Sequence, residues 1–124
     1  MKEWTREELQ AELMKLEEYK TDQGKFDRIL KICSEIFASR NSKRRYAGAW
    51  KEGGLAGVMV VLRNKINRAI QSNPEKTEIK IIVENIDDTL IDIINYCIMG
   101  LISYQEDILQ KKKDVEIDEP ETTI

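Results

Sequence analysis

Residues 86–110 read IDDTLIDIINYCIMGLISYQEDILQ, and they predict one long helix that decides the fold. Apolar side chains recur along it at alternating steps of four and three residues, which is the spacing of a helical seam. The seam consists of Leu90, Ile94, Cys97, Leu101, Tyr104 and Ile108. Further isoleucines widen the apolar surface to most of the circumference, and such a helix is buried on most sides. We therefore expect it to pack on its own chain and on a second copy of the protein.

Three more helices are predicted upstream of this one. Thr5 and Glu8 form a capping box that starts the first, and its narrow stripe of leucines predicts that it lies on the outside. The second and third carry apolar residues at spacings of three and four. The first helix is predicted to end at about Tyr19, and the other two to span about Lys25–Ala38 and Leu55–Gln71. Residues 39–54 are expected to form a loop. Within residues 72–83, the alternating stretch 78–83 could be a short strand or an extended connector, and we favour the connector because a single strand would have no partner.

The chain of 124 residues fits one domain. We assign residues 1–110 to a single helical domain. Residues 111–124 combine a basic triplet with an acidic stretch and show no periodicity, so they are expected to form a flexible charged tail. The expected fold class is all-α, a small bundle of about four helices that assembles as a homo-oligomer.

Composition excludes several classes of function. The net charge of -3 argues against a nucleic-acid partner. No apolar run reaches the roughly 18 residues of a membrane span, and the N-terminus has no apolar signal core, so a cytoplasmic protein without a membrane partner is expected. The absence of histidine excludes histidine-based acid–base catalysis and most zinc and haem sites. Cys33 and Cys97 lie within apolar helical patterns and are expected to be reduced and buried.

A polar stripe interrupts the apolar helix. Asp88, Asp92 and Asn95 are spaced i, i+4, i+7 and therefore share one face. In one interpretation Asp92 forms a structural ion pair with Arg63 or Arg68 of the third helix. In the other, the carboxylates hold Mg²⁺ or a ligand hydroxyl, and basic residues of the third helix hold phosphate. The cationic and amide candidates there form two pairs, Arg63 with Asn67 and Lys65 with Arg68.

Basic and aromatic residues alternate between residues 40 and 50. Arg44 or Arg45 is a candidate for binding phosphate, and Tyr46 or Trp50 for stacking on a nucleobase. The alternatives are a solvated charged face and two aromatic anchors that fix a loop to the core. The segment alone does not decide between them.

Three motifs carry a resemblance to a known family. They are Asn41 with Tyr46-Ala-Gly-Ala-Trp50, then Leu62-Arg-Asn-Lys-Ile-Asn-Arg68, then Glu84-Asn-Ile-Asp-Asp-Thr-Leu-Ile-Asp-Ile-Ile-Asn-Tyr96. On these motifs, residues 26–104 resemble the nucleotide modification associated domain 1 family, small all-α proteins common in phages and prophages. The resemblance implies a role in nucleotide metabolism or modification. The acidic helix is also similar to those of the MazG-like nucleotide pyrophosphohydrolases, which hold Mg²⁺ with Glu and Asp.

The sequence departs from the family pattern at acidic positions. Arg45 and Asn64 stand where family members usually carry Asp, Val83 replaces another acidic residue, and Ala47 replaces a Gly. Fewer acids and more arginine favour holding an anion over activating water with a metal.

We therefore expect a protein that binds a nucleotide or a nucleotide-derived signalling molecule without turnover, plausibly a phage protein that sequesters a host defence signal. No cofactor is favoured. The expected ligand-binding residues are Arg44, Arg45, Tyr46, Trp50, Arg63, Lys65, Asn67, Arg68, Asp88, Asp92 and Asn95. The alternative is a Mg²⁺-dependent hydrolase of nucleoside triphosphates with Glu84, Asp88 and Asp92 as metal ligands. A protein-interaction module that docks through the apolar last helix is the third hypothesis.

Overall fold

The computed structural model describes residues 2–46, 48–73, 75 and 78–118. Most of this chain is helical, as predicted, and a small hairpin is added to the helices. The helices are α1 (Arg6–Met14), α2 (Asp22–Ser42), α3 (Gly54–Ala69) and α4 (Ile86–Asp118). A 3-10 turn (Lys15–Glu18) follows α1, a π-helical turn (Gly48–Glu52) precedes α3, and two strands, β1 (Ile70–Asn73) and β2 (Glu78–Ile81), precede α4.

The helix α4 is the centre of the fold, and its inner face contributes to two apolar clusters. Tyr96 and Met99 pack against α3 and the π-helical turn, in a cluster completed by Tyr46, Trp50, Val58 and Leu62. Ile91, one turn earlier, packs against α1 and α2, with Leu9, Ile32, Cys33 and Ile36. The polar stripe lies on this inner face, between the two clusters.

The start of α1 forms as predicted, and the helix lies at the surface of the fold, as expected. The Thr5 hydroxyl accepts from the backbone of Glu8, and the Glu8 carboxylate accepts from the backbone of Thr5, which is the full capping box. Leu9 is only 3% exposed and is the buried residue of α1, so the helix packs on the core through its narrow apolar stripe while its other residues are exposed or partly exposed. Its regular part is shorter than predicted, because the chain tightens into the 3-10 turn after Met14.

The predicted loop at residues 39–54 is a second correction. Helix α2 continues through Ser42, and the π-helical turn covers Gly48–Glu52. Ser39 is buried and Arg40 half-buried, so the inner face of α2 extends beyond its last apolar residue. Arg44 adopts a φ of 60° in the turn that follows α2. This turn lets the chain reverse and bring Tyr46 and Trp50 back into the core.

The predicted connector at residues 72–83 is a third correction, since β1 and β2 pair in antiparallel fashion. Ile70 lies opposite Ile81, and Asn73 lies opposite Glu78. The partner strand is β1, whose first two residues, 70–71, were predicted to end the third helix. All four β2 side chains are exposed, so the pairing is local and adds little to the core.

The helix α4 extends past its predicted end at Gln110 as far as Asp118. Residues 111–118 of the predicted tail are therefore helical, and residues 119–124 lie outside the described residues. Every side chain from Tyr104 to Val115 is exposed. None of the helices in the described ranges is both long and apolar enough to cross a membrane.

Candidate functional site

The Asp92 carboxylate is the most heavily contacted acid of the inner face. Its Oδ1 accepts hydrogen bonds from Arg40 Nη1 at 2.9 Å and from the Tyr46 hydroxyl at 3.0 Å. Its Oδ2 lies 2.6 Å from Lys65 Nζ. The side chain is 16% exposed, so both cations compensate a largely desolvated charge. The partners predicted from the sequence, Arg63 and Arg68, are both exposed and do not contact it.

Arg40 connects Asp92 to Asp88 one turn earlier. Its Nη2 donates to Asp88 Oδ1 at 2.8 Å while its Nη1 holds Asp92, so one guanidinium spans the i, i+4 carboxylates. Burial opposes the positive charge, but neighbouring Tyr46 and Asp88 outweigh it and raise the pKa of Arg40. The Asp88 side chain is 46% exposed, so this half of the contact is open to solvent.

Asn95, the third member of the stripe, is a core residue. It is 2% exposed, and its Nδ2 donates to the Cys33 carbonyl at 3.1 Å. This hydrogen bond joins α4 to the middle of α2. The Asn95 side chain therefore has a structural partner and presents no surface to a ligand.

The two candidate stacking rings are buried as well. Tyr46 and Trp50 are 2% and 7% exposed. Tyr46 stacks on Phe37 with 5.7 Å between ring centroids and meets Tyr96 edge-on at 5.2 Å, and Trp50 meets the edge of Phe37 at 6.0 Å. Burial, with Arg40 opposing it and Asp92 adding to it, raises the pKa of Tyr46 to about 12. Its hydroxyl is thus a neutral donor to Asp92, and both rings act as anchors in the core.

A basic cleft of about 290 Å³ lies beside this network, where the N-terminal segment, the end of α2 and the start of α4 meet. Its cationic lining residues are Arg6, Arg40, Lys43 and Arg45, and the lining also includes Glu3, Trp4, Asn85 and Asp88. Arg6 Nη1 lies 2.8 Å from Asp87, and Lys43 pairs with Glu3. Arg45 is exposed, and no carboxylate in the described ranges forms an ion pair with it.

The remaining candidate residues of the sequence lie elsewhere. Lys65 and Arg68 line a separate cleft of about 280 Å³ together with Val83 and Thr89. Arg63 and Asn67 border an apolar groove between α3 and α4, and Arg44 is exposed on the turn after α2. The structure therefore does not gather the predicted set into one pocket. It unites Arg45 with Asp88 in the basic cleft and places Asp92 between the two clefts.

The proposed metal ligands do not converge either. Glu84 is exposed, and Asp88 and Asp92 are occupied by Arg40 and Lys65. Within the part of the chain that the structure describes, no group of three or more acidic or cysteine side chains is placed to hold a metal ion. A divalent ion at Asp88 and Asp92 would have to displace the Arg40 guanidinium first.

Comparison with known protein families gives a match for the part of the chain from Lys43 to Tyr104. The model of the nucleotide modification associated domain 1 family matches residues 43–104, which is half of the sequence. The chain belongs to this family. No curated protein and no solved structure matches it.

The nucleotide modification associated domain 1 match includes only one side of the basic cleft. Lys43, Arg45, Asn85 and Asp88 fall within residues 43–104, whereas Trp4, Arg6 and Arg40 precede them. The cleft is thus completed by α1 and the end of α2, which lie outside the family match.

Sequence reasoning missed Arg40, Lys43, Arg6 and Trp4 as cleft residues. One signal for Arg40 was present, because it follows the buried residues Cys33 and Ile36 at helical spacing and therefore continues the inner face of α2. No local pattern could assign Arg6, since its place in the cleft depends on how α1 docks against the start of α4.

Proposed function

We propose that the protein binds the phosphate groups of a nucleotide or nucleotide-derived signalling molecule in the basic cleft, without turnover. The observation that carries this proposal is the convergence of four cationic side chains on one cleft of about 290 Å³, one from α1 and three from the end of α2 and the turn after it. Arginine forks match phosphate oxygens in geometry and charge, and helical-bundle clefts of this size accept small ligands.

The ion pairs of the cleft do not neutralise all of its positive charge, so some remains for a ligand. Arg45 has no ion-pair partner in the described ranges, and Lys43 is about half exposed. Arg40 can exchange its solvent-exposed contact with Asp88 for a phosphate oxygen while Asp92 continues to hold its other nitrogen. In this arrangement Asp92 and Lys65 are positioning residues that fix Arg40.

The cleft also supplies groups for the rest of a nucleotide. Trp4 is an aromatic residue of the cleft lining, and its Nε1 donates to Glu35 at 2.8 Å. Lys2 lies 5.0 Å from the centroid of its ring, so a base that stacks on the part-exposed indole would take the place of Lys2. Asn85 and Asp88 at the start of α4 offer hydrogen bonds to ribose hydroxyls or base amino groups. Trp4 takes the role that the sequence analysis gave to Tyr46 or Trp50.

The cationic contacts of the acidic side chains favour binding without turnover. Both oxygens of Asp92 are engaged by cations, and the chain has no histidine to act as a general base. The competing function, Mg²⁺-dependent hydrolysis of a nucleoside triphosphate, requires Asp88 and Asp92 to release Arg40 and bind metal. The biological setting we propose is a phage or prophage protein that sequesters a host defence signal in the host cytosol, and it rests on the family resemblance alone.

Isothermal titration calorimetry tests the proposal with ATP, pyrophosphate and a panel of linear and cyclic nucleotides. The double variant Lys43→Gln/Arg45→Gln should bind the best ligand at least about tenfold more weakly, because a lost charge-assisted hydrogen bond costs about 1.5–3 kcal/mol. The matched control is Arg63→Gln/Arg68→Gln, which removes two exposed cations outside the cleft.

Three outcomes decide against parts of the proposal. No ligand binding tighter than about 1 mM would refute it. If the control pair weakened ligand binding equally, the site would lie on α3. Conversion of the ligand in the presence of Mg²⁺, followed by mass spectrometry and lost in Asp92→Asn, would favour the hydrolase.

A further inference from the structure

The side of α4 that faces away from the polar stripe is an exposed apolar seam. The stripe faces inward, and the seam predicted from residues 90–108 lies on the opposite side of the helix. Its large members are strongly exposed, with fractions of 50% for Leu90, 68% for Leu101, 53% for Tyr104 and 43% for Ile108. Ile94 is partly buried against the cluster that contains Leu9 and Ile32. The other large residues of the seam, at steps of four and three, form a surface that the chain itself leaves largely uncovered.

The second half of α4 can be buried only if another molecule covers this seam. From Tyr104 to Val115 all side chains are exposed, so the helix projects beyond the core by about 1.5 Å per residue, or roughly 20 Å in all. A helix of this length without tertiary contacts is only marginally stable in water. Tyr104, Ile108 and Val115 continue the seam along the projecting part, which indicates that a partner packs there.

The exposed surface is wider than one helix. Met59 and Ile66 of α3 are 56% and 42% exposed and border the seam near Cys97. An open groove of about 660 Å³ extends the same face, from Leu55 past Tyr104 to Val115. The two helices together present apolar side chains across this face, and charged side chains border them, among them Arg63, Asp107, Lys111 and Lys112.

We propose that a second copy of this chain covers the seam of α4 and the adjoining side of α3. Such packing would cover the exposed apolar side chains of both helices on each copy. A standard stable interface covers about 800 Å² per partner. The seam positions from Leu90 to Ile108 are uncharged and recur at steps of four and three residues, so the side chains of one helix can fit between those of an identical helix. The basic cleft lies on the other side of α4, so each copy keeps a complete cleft and the interface does not depend on ligand binding.

Sedimentation equilibrium of the full chain tests this interface. The wild-type protein should sediment as a dimer, or as a larger assembly built on the same contact, at twice its mass of 14.5 kDa or above. Leu101→Glu should weaken association roughly 100-fold or more, because it buries a carboxylate in the centre of an apolar interface. Ile79→Glu is the matched control, since Ile79 is 67% exposed on β2 and away from the seam. Circular dichroism should show unchanged helix content in Ile79→Glu, and in Leu101→Glu a loss no larger than the projecting end of α4 can account for.

The native thiols report which face is covered. Cys97 is exposed on the seam and Cys33 is buried, and they are the two cysteines of the chain. A thiol reagent should modify Cys97 slowly in concentrated wild-type protein and rapidly on dilution or in Leu101→Glu. A wild-type chain that stays monomeric at about 100 μM, a concentration far above the Kd of a standard interface, would overturn the proposal. So would an assembly that survives Leu101→Glu, or a Cys97 whose reactivity is independent of assembly.

Discussion

Arg40 Nη1 lies 2.9 Å from Asp92 Oδ1, and this contact ties the end of α2 to the second turn of α4. Lys65 of α3 reaches the other oxygen of the same carboxylate. One acid therefore joins three helices at the boundary between the two apolar clusters. Removal of one member of such a largely buried network leaves the others as uncompensated charges, which is costly.

Replacement of Asp92 by alanine should reduce the free energy of unfolding by about 3 kcal/mol, because it leaves Arg40 and Lys65 without their shared carboxylate. Urea denaturation followed by circular dichroism measures this loss. Asp88→Ala is the comparison, since Asp88 is 46% exposed and contacts Arg40 through one oxygen. It should cost about 1 kcal/mol or less. Equal losses in the two variants would show that Asp92 does not organise the junction.

Asn95→Ala should also destabilise the fold, by about 2 kcal/mol, through a lost buried hydrogen bond to the Cys33 carbonyl and a small cavity. Ligand affinity of the folded variant should remain within about twofold of the wild type, a change below 0.5 kcal/mol. The exposed Asn67→Ala should change stability by no more than about 0.5 kcal/mol. If Asn95→Ala were instead stable and bound the ligand more weakly, Asn95 would belong to the binding site, as the sequence analysis expected.

The elements of the fold were largely predictable from local patterns. The capping box located the start of α1, and apolar spacing located α2, α3 and α4. The hairpin was not predictable, because Ile70 and Gln71 continue the helical pattern of α3 and their strand pairing depends on Ile81 and Lys80 arriving opposite them.

The site was predictable only in part. The spacing of Asp88 and Asp92 placed both acids on one face, and the structure shows one guanidinium between them. The third helix does supply a cation to Asp92, but it is Lys65 and not Arg63 or Arg68. The second cation, Arg40 of α2, was not predicted, because its approach depends on how the helices rotate against α4. The burial of Tyr46 likewise follows from the reversal of the chain after α2, which no short motif encodes.

Stability at low pH should depend on Glu8 in the capping box. The hydrogen bond from Lys2, followed by those from Thr5, lowers the pKa of Glu8 from 4.5 to about 2. Because the folded pKa is depressed, this group stabilises the fold fully above pH 4.5, and the contribution is lost as the pH falls towards about 2.

Glu8→Gln should therefore flatten the decline of the unfolding free energy across that pH range, so that its curve approaches the wild-type curve at the acid end. Guanidinium chloride titrations at successive pH values give both curves. Glu7→Gln, on the same turn but outside the capping box, should run parallel to the wild type. If Glu8→Gln also runs parallel, the carboxylate titrates alike in the folded and unfolded chains.

The two tryptophans distinguish the basic cleft from the core as the place where a base stacks. Trp4 lines the cleft, whereas Trp50 is 7% exposed among Phe37 and its neighbours. A bound nucleotide should quench Trp4, so the fluorescence change should disappear in Trp4→Phe and persist in Trp50→Phe. Trp4→Ala should weaken binding by about tenfold, since base–aromatic stacking contributes about 1–3 kcal/mol. The reverse pattern, with the signal lost only in Trp50→Phe, would mean that the ligand opens the core beside Tyr46, and the cleft would then be a surface feature of the ion-pair network.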